Sequence, residues 1–230
     1  MQTLLLFDID GTILWGGQAA KEAFTVALTE VYGTTGPIHD HDFSGKTDPQ
    51  IVRELLTLAG LNDRTIDDGF DRFCELYLDG FEERVVDIPP KVLPGAAELV
   101  RSMEERDGIA LGLVTGNLAR AATIKLGAIG LNDPFAVGGY GSDHEIRNHL
   151  PGIAMERARM EWGFDFPADS VWVIGDTPRD VACGKYHGTR TLAVATGYYD
   201  VGVLRETGAD LVVGDFSDHE RVANLILSAS

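Results

Sequence analysis

Leu4-Leu5-Leu6-Phe7-Asp8-Ile9-Asp10-Gly11-Thr12 runs four apolar residues straight into two carboxylates, a glycine and a hydroxyl. The apolar part reads as a short strand. Side chains two apart on a strand share a face, so Asp8 and Asp10 are expected to point into one site. A packed core does not select such a pair, because burying unpaired carboxylates is costly. The carboxyl ends of strands are where open α/β sheets bind their ligands. A divalent cation would hold the two carboxylates together and leave one of them able to attack a substrate. This stretch therefore points to an enzyme site at the end of the first strand.

Working outward, further strand-length apolar runs lie at 109–114, 171–174, 191–195 and 211–213, with a weaker one near 135–137. Amphipathic helical stretches fall between them, at 95–106, 118–128, 150–162 and 179–187. Strands alternating with helices predict βαβ units, hence an α/β fold with a doubly wound, Rossmann-like parallel sheet. The first interval breaks that rhythm, since about a hundred residues separate the first two strands, where a crossover needs about a dozen. Segments 18–31, 49–58 and 67–84 inside it carry apolar residues at helical spacing. Gly16-Gly17 opens the interval and Ile88-Pro89-Pro90 with Leu93-Pro94-Gly95 closes it, as boundary signals do. The expectation is an α/β core of residues 1–14 and 91–230 with an inserted helical cap of residues 15–90. The alternative is one continuous domain whose extra helices pack permanently on the sheet.

Two later segments repeat the opening theme. In Val114-Thr115-Gly116-Asn117 a strand gives way to a hydroxyl and to backbone amides at a helix start, which suits a phosphoryl group. A plain helix cap by Thr115 or Asn117 explains the same residues. In Gly175-Asp176-Thr177-Pro178-Arg179-Asp180 a strand ends at Asp176 and Pro178 starts a helix. Asp176 is either an N-cap or the completion of a carboxylate set for Mg²⁺, which favours hard oxygen ligands. Asp180 in the first turn either compensates the helix dipole or supports that site.

Together, Asp8-Ile9-Asp10-Gly11-Thr12, Val114-Thr115-Gly116-Asn117 and Gly175-Asp176-Thr177-Pro178-Arg179-Asp180 resemble the first, second and fourth motifs of the haloacid dehalogenase superfamily. The spacing and the position of the insert are similar to its phosphoglycolate phosphatase-like branch. The resemblance implies Asp8 as the nucleophile that forms an aspartyl-phosphate and Asp10 as the acid and then base. It implies Mg²⁺ held by Asp8, the Asp10 backbone carbonyl and Asp176, with Asp180 acting through water. It also implies that Thr115 and the amides of Gly116 and Asn117 hold phosphoryl oxygens.

The superfamily's third motif is usually a lysine before a helix, and residues 141–151 contain none. Arg147 is the expected substitute, a fixed cation able to bridge phosphate and the Asp8 carboxylate. Lys125 and Lys185 are rivals that read as solvated helix positions. Ser44-Gly45-Lys46-Thr47-Asp48 contains Gly-Lys-Thr, but Asp40 stands where a P-loop needs glycine and no strand precedes it. In related caps a loop of this kind faces the active site, so Lys46 is either a cation for substrate or solvated. Gly139-Tyr140-Gly141 lacks the third glycine of a dinucleotide fingerprint. His39-Asp40-His41-Asp42 reads as a polar loop with solvated histidines. Phe70, Phe73, Cys74, Tyr77 and Phe81 read as a helical core stripe.

Thirty-six acidic against nineteen basic residues leave a formal charge of −17 in 230 residues, which disfavours nucleic acid and anionic membranes. The only cysteines, Cys74 and Cys183, have no metal-ligand spacing and read as reduced thiols, and no segment suits a membrane span. A cytoplasmic protein is expected, and its oligomeric state cannot be read from the sequence. Asp10 discriminates among the chemistries of the superfamily, because related dehalogenases and phosphonate hydrolases lack an acid there. The expected function is a Mg²⁺-dependent phosphomonoesterase acting on a small phosphorylated metabolite, phosphoglycolate or a sugar phosphate. A sugar phosphomutase, or a catalytically idle binding relative, is the alternative.

Overall fold

The computed structural model describes residues 2–229. The chain opens with β1 (Thr3–Phe7) and β2 (Leu14–Trp15), then passes through α1 (Gly17–Tyr32), α2 (Asp48–Leu58) and α3 (Asp63–Val85). It returns by β3 (Lys91–Val92) and α4 (Ala96–Glu104) to β4 (Ile109–Thr115), α5 (Ala119–Ala128) and β5 (Val137–Tyr140). The last part comprises α6 (Leu150–Trp162), β6 (Val171–Gly175), α7 (Pro178–Tyr186), β7 (Arg190–Val194), α8 (Val201–Glu206), β8 (Leu211–Val213) and α9 (His219–Ala229). Among the described residues no helix is long and apolar enough to cross a membrane.

Six strands form one parallel sheet in the order β5-β4-β1-β6-β7-β8. Every residue of β1 is buried, as expected for a central strand covered by helices on both faces. Phe7 pairs with Leu113 of β4 on one side and Ile174 of β6 on the other, so β6 runs one residue and β4 two residues beyond the end of β1. Strand order reverses at β1, and the crevice at such a reversal is where doubly wound sheets hold ligands. Layers on the two faces bury separate cores. One contains Phe7, Leu99, Trp172 and Phe216, and the other Leu6, Val114, Leu150 and Val173.

The weak apolar run near 135–137 gives a strand that begins only at Val137 and continues to Tyr140. Two features lay below the resolution of periodicity. β2 and β3 pair antiparallel as a two-residue ribbon, Leu14 with Val92 and Trp15 with Lys91, where the chain leaves and re-enters the sheet layer. α8 is only six residues long, and its N-cap Asp200 accepts a hydrogen bond from the Val203 amide.

The helices between β2 and β3 share an apolar cluster of their own, built from Phe24, Leu28, Leu55, Phe73, Tyr77 and Phe81 among others. On α3 the stripe at i, i+4 spacing stacks ring on ring, Phe73 to Tyr77 at 5.8 Å and Tyr77 to Phe81 at 6.1 Å. Phe70 and Cys74 pack on its margin, as the sequence suggests. This cluster is not self-contained: Leu118 and Ala121 of the 118–128 region belong to it. Arg120 adds ion pairs to Asp79, at 2.7 Å, and to Glu82. Phe81 is fully buried, so Phe81→Ala is expected to cost ~3–5 kcal/mol. Urea denaturation checks this, and the loss should appear first in the helical segment.

Candidate active site

Three strand ends deliver the site. β1 ends in Asp8, whose amide donates to the Ile174 carbonyl at 2.8 Å, tying the turn after β1 to β6. Gly11 adopts φ +83°, and a Cβ there would run into the Asp176 carboxylate, so the turn needs glycine for both reasons. β6 ends at Gly175 and presents Asp176. The N-cap of α7 is Thr177, not Asp176: Thr177 and Asp180 form a reciprocal capping box.

Asp8, Asp176 and Asp180 are all buried, and each offers a carboxylate oxygen within 4.8 Å of the others. Burial pushes the Asp8 carboxyl up to about 6 and the Asp176 carboxyl up to about 9, with neighbouring carboxylates adding to the rise. Hard oxygen donors crowded in a dry site fit a Mg²⁺-sized cation. The three are not equally available. Asp180 Oδ2 already accepts from the Thr177 amide at 2.9 Å and the Thr177 hydroxyl at 2.7 Å, and its Oδ1 is taken by Arg147. Asp8 and Asp176 are the freer donors, and the Asp10 carboxylate lies apart from this cluster.

Arg147 sits in a short 3₁₀ turn before α6 and is only 5% exposed. Its Nη2 lies 3.2 Å from Asp8 Oδ1, contacts Asp180 and donates to the Val114 carbonyl at 3.3 Å. Its Nε is buried and finds no partner among the described residues. The arginine therefore sets a buried cation against the Asp8 and Asp180 carboxylates.

Lys125 corrects the sequence reading. It is not solvated but 5% exposed, and its Nζ lies 2.6 Å from Asp10 Oδ2 and 2.6 Å from Asn117 Oδ1. Asn117 Nδ2 in turn donates to Asp10 Oδ2 at 2.8 Å and to Thr115 Oγ1 at 2.7 Å. The Gly16 amide holds Asp10 Oδ1 at 3.1 Å. Neither Thr115 nor Asn117 caps α5 with its side chain. Within α5 only the spacing of Lys125 four residues after the fully buried Ala121 hints at this burial. Lys185 is solvated, as expected, and donates to the Thr207 carbonyl. Lys125→Met should leave the chain folded but free the Asp10 carboxylate to rotate. The expected result is a fall in kcat of about tenfold to a hundredfold with a smaller change in KM, read by steady-state kinetics.

The loop before α2 closes over these groups. The Asp48 amide donates to the Gly116 carbonyl at 2.7 Å, and Asp48 Oδ2 accepts from the Leu118 amide at 2.9 Å. Burial raises the Asp48 carboxyl to about 6. A Cβ on Gly116 would overlap the Lys46 carbonyl, so glycine is what lets the two loops meet. Thr47 Oγ1 donates to the Glu145 carbonyl at 2.6 Å, and Arg179 donates to the Ser44 carbonyl at 2.6 Å. His41 is not a solvated histidine: its side chain is 8% exposed, with Nε2 3.0 Å from Glu54 Oε2. Lys46 shares that carboxylate at 2.5 Å. Asp8, Asp10, Thr115, Gly116, Asn117, Lys125, Arg147, Asp176 and this loop enclose one cavity of about 230 Å³, and Asp180 stands behind it.

The raised carboxyls give a pH signature. Asp8 and Asp176 hold protons in the folded chain that the unfolded chain releases near pH 3.8, so they favour folding at low pH. That contribution is lost as pH rises through about 6 and then about 9. Mg²⁺ bound at this cluster would take the place of those protons, so it should raise Tm more at pH 8 than at pH 6, and EDTA should reverse the gain. Differential scanning fluorimetry at the two pH values checks both.

A sequence model of the family described as haloacid dehalogenase-like hydrolase matches residues 5–194. A phosphoglycolate phosphatase of Rhodospirillum rubrum is 28% identical over 225 residues, covering 94% of this chain and 89% of that protein. An N-acetylmuramic acid 6-phosphate phosphatase of Pseudomonas putida is 27% identical over 215 residues, covering 91% and 90%. Among solved structures, a hydrolase from Pseudomonas syringae superposes with a TM-score of 0.72 at 24% identity, covering 98% of this chain and 99% of that one.

Proposed function

The chain belongs to the haloacid dehalogenase-like hydrolase family, and from that premise we propose that it is a phosphomonoesterase acting on a small phosphorylated metabolite. The observation that carries this reading is the placement of two carboxylates on one turn, each against its own buried cation. Asp8 lies against Arg147 beside Asp176, while Asp10, two residues on, is held by Lys125, Asn117 and the Gly16 amide. The first arrangement suits a nucleophile and the second a positioned acid and base. Two relatives whose names carry phosphatase activity support the same class and suggest phosphoglycolate or a sugar phosphate as substrate.

In the proposed reaction an Asp8 oxygen attacks phosphorus and the bond to the leaving oxygen breaks. Asp10 gives that oxygen its proton, releasing an alcohol. Asp10 then takes a proton from water as the water oxygen attacks the phosphoryl group, which leaves as inorganic phosphate and restores Asp8. Thr115 and the amides of Gly116 and Asn117 would hold the phosphoryl oxygens, and Arg147 would keep Asp8 ionised and aimed. Asp8 and Asp176 would hold Mg²⁺, with Asp180 behind them, and the ion would offset repulsion between phosphate and carboxylates. Residues 15–90 would act as a cap that closes the cavity and excludes water.

Phosphate release from p-nitrophenyl phosphate and from a panel of metabolite phosphates, with Mg²⁺ or EDTA, tests the proposal. Turnover that requires Mg²⁺ is expected. No release from any ester by folded, Mg²⁺-loaded protein would remove the phosphatase reading.

A further inference from the structure

Residues 15–90 supply a largely apolar share of the cavity wall, including Trp15, Phe24, Phe43, Ile51 and Tyr77. The rings brace one another. Phe24 meets Tyr77 edge-on at 5.2 Å and Phe43 at 6.3 Å, while Trp15 meets Tyr198 at 5.6 Å. Tyr198 is exposed at the rim. Such a wall is a fixed surface for a ring or an apolar face, and it offers little to a charged group.

The charges of the cavity point the same way. Four basic residues line it: Lys21, Lys46, Lys125 and Arg147. Lys46 is held by Glu54, Lys125 by Asp10, and Arg147 by Asp8 and Asp180. Only Lys21 lacks a carboxylate partner among the described residues. It lies on the exposed side of α1, with its Nζ 5.9 Å over the Phe43 ring. The loop also brings the Asp48 carboxylate into the wall. A second anionic group on the substrate would face rings and Asp48, with no buried cation free to receive it. Leaving a charge desolvated and unpaired is penalised far more heavily than a neutral hydroxyl.

We infer that the substrate is the phosphate ester of an uncharged alcohol bearing a ring or an apolar face, and that a carboxylate on the leaving group is selected against. Resting on the phosphomonoesterase reading, this narrows its substrate class from phosphocarboxylates towards esters of neutral, ring-bearing alcohols. The ring lies on Phe43 and Trp15 while the phosphoryl group reaches Asp8.

Methyl phosphate, phosphoglycolate and benzyl phosphate separate the terms, since phosphoglycolate adds a carboxylate to methyl phosphate and benzyl phosphate adds a ring. With Mg²⁺, kcat/KM for benzyl phosphate should exceed that for phosphoglycolate by at least about tenfold, and phosphoglycolate should not exceed methyl phosphate. Phe43→Ala should lower the benzyl-to-methyl ratio by about fivefold or more. Tyr198→Ala, at an exposed position, should lower it in the same direction and guards against a folding defect in the first variant. Phosphoglycolate as the best of the three, with Lys21→Met abolishing its advantage, would overturn the inference and leave the phosphatase reading standing. A benzyl-to-methyl ratio unmoved in both aromatic variants would overturn it too. Failure to hydrolyse all three would remove the phosphatase reading itself, and the inference with it.

Discussion

Asp8→Asn is expected to abolish phosphate release, with kcat/KM falling by more than roughly a thousandfold and no rescue by added Mg²⁺. The amide is nearly isosteric with the carboxylate, so the buried turn after β1 keeps its shape. What it loses is the anionic oxygen that, in the proposed reaction, attacks phosphorus. Stability should move the other way. Burial raises the Asp8 carboxyl to about 6, so ionised Asp8 costs the metal-free fold stability at pH 8. Metal-free Asp8→Asn should therefore unfold at the same or a higher temperature than wild type at that pH, and its gain from Mg²⁺ should shrink. A dead variant that is also unfolded would say nothing about the nucleophile, so circular dichroism accompanies the kinetics. Turnover within tenfold of wild type would place the nucleophile elsewhere.

Arg147→Met is expected to damage both fold and activity. Arg147 pairs with Asp8 at 3.2 Å and with Asp180, and all three are buried. Removing one partner of a buried ion pair leaves uncompensated charge, at a cost of about 3–5 kcal/mol. Activity should fall by about a hundredfold, because Asp8 loses the cation that holds it ionised and aimed. Arg147→Lys distinguishes packing from charge. It restores the positive charge without the guanidinium whose Nη2 alone meets Asp8, Asp180 and the Val114 carbonyl. Stability should recover more than kcat does. A kcat in the Met variant within about threefold of wild type, once stability is matched by lower temperature, would remove Arg147 from the reaction.

How much of this was legible in the sequence depends on how local each cause is. β1, β4 and β6 are short apolar runs that lead into polar residues, so a parallel sheet could be read from their alternation with helices, whereas strand order and register are set by tertiary packing. Asp8, Asp176 and Thr115 could be read because a carboxylate or hydroxyl at the end of a buried strand is a local contradiction. Arg147 could be read because the site needed a cation and the segment offered few. Lys125 was missed because its burial is a tertiary event. The apolar cluster of the intervening helices lies over Leu118 and Ala121, and Asp10 is there to receive the ammonium. His41, Lys46 and Glu54 were missed for the same reason, as a three-way contact formed when the loop folds back on α2. The β2–β3 ribbon is too short to carry any period.

The same distinction applies to the cavity wall. Core helices with ring stripes look alike whether or not a face meets ligand, and Phe24 and Tyr77 serve both the apolar cluster and the cavity. Only the packing of α1 and α3 against the loop at 43–48 reveals which rings face the carboxylates.

The central claim is a covalent phosphoryl group on Asp8, and trapping it is the most direct measurement. Enzyme turning over an ester with Mg²⁺ is quenched in acid and reduced with borohydride, which converts an aspartyl-phosphate to homoserine, and its peptides are sequenced by mass spectrometry. Homoserine at position 8, absent without substrate, is the predicted result. Hydrolysis that proceeds at full rate with no modification at position 8, or with the label on another residue, would contradict the account.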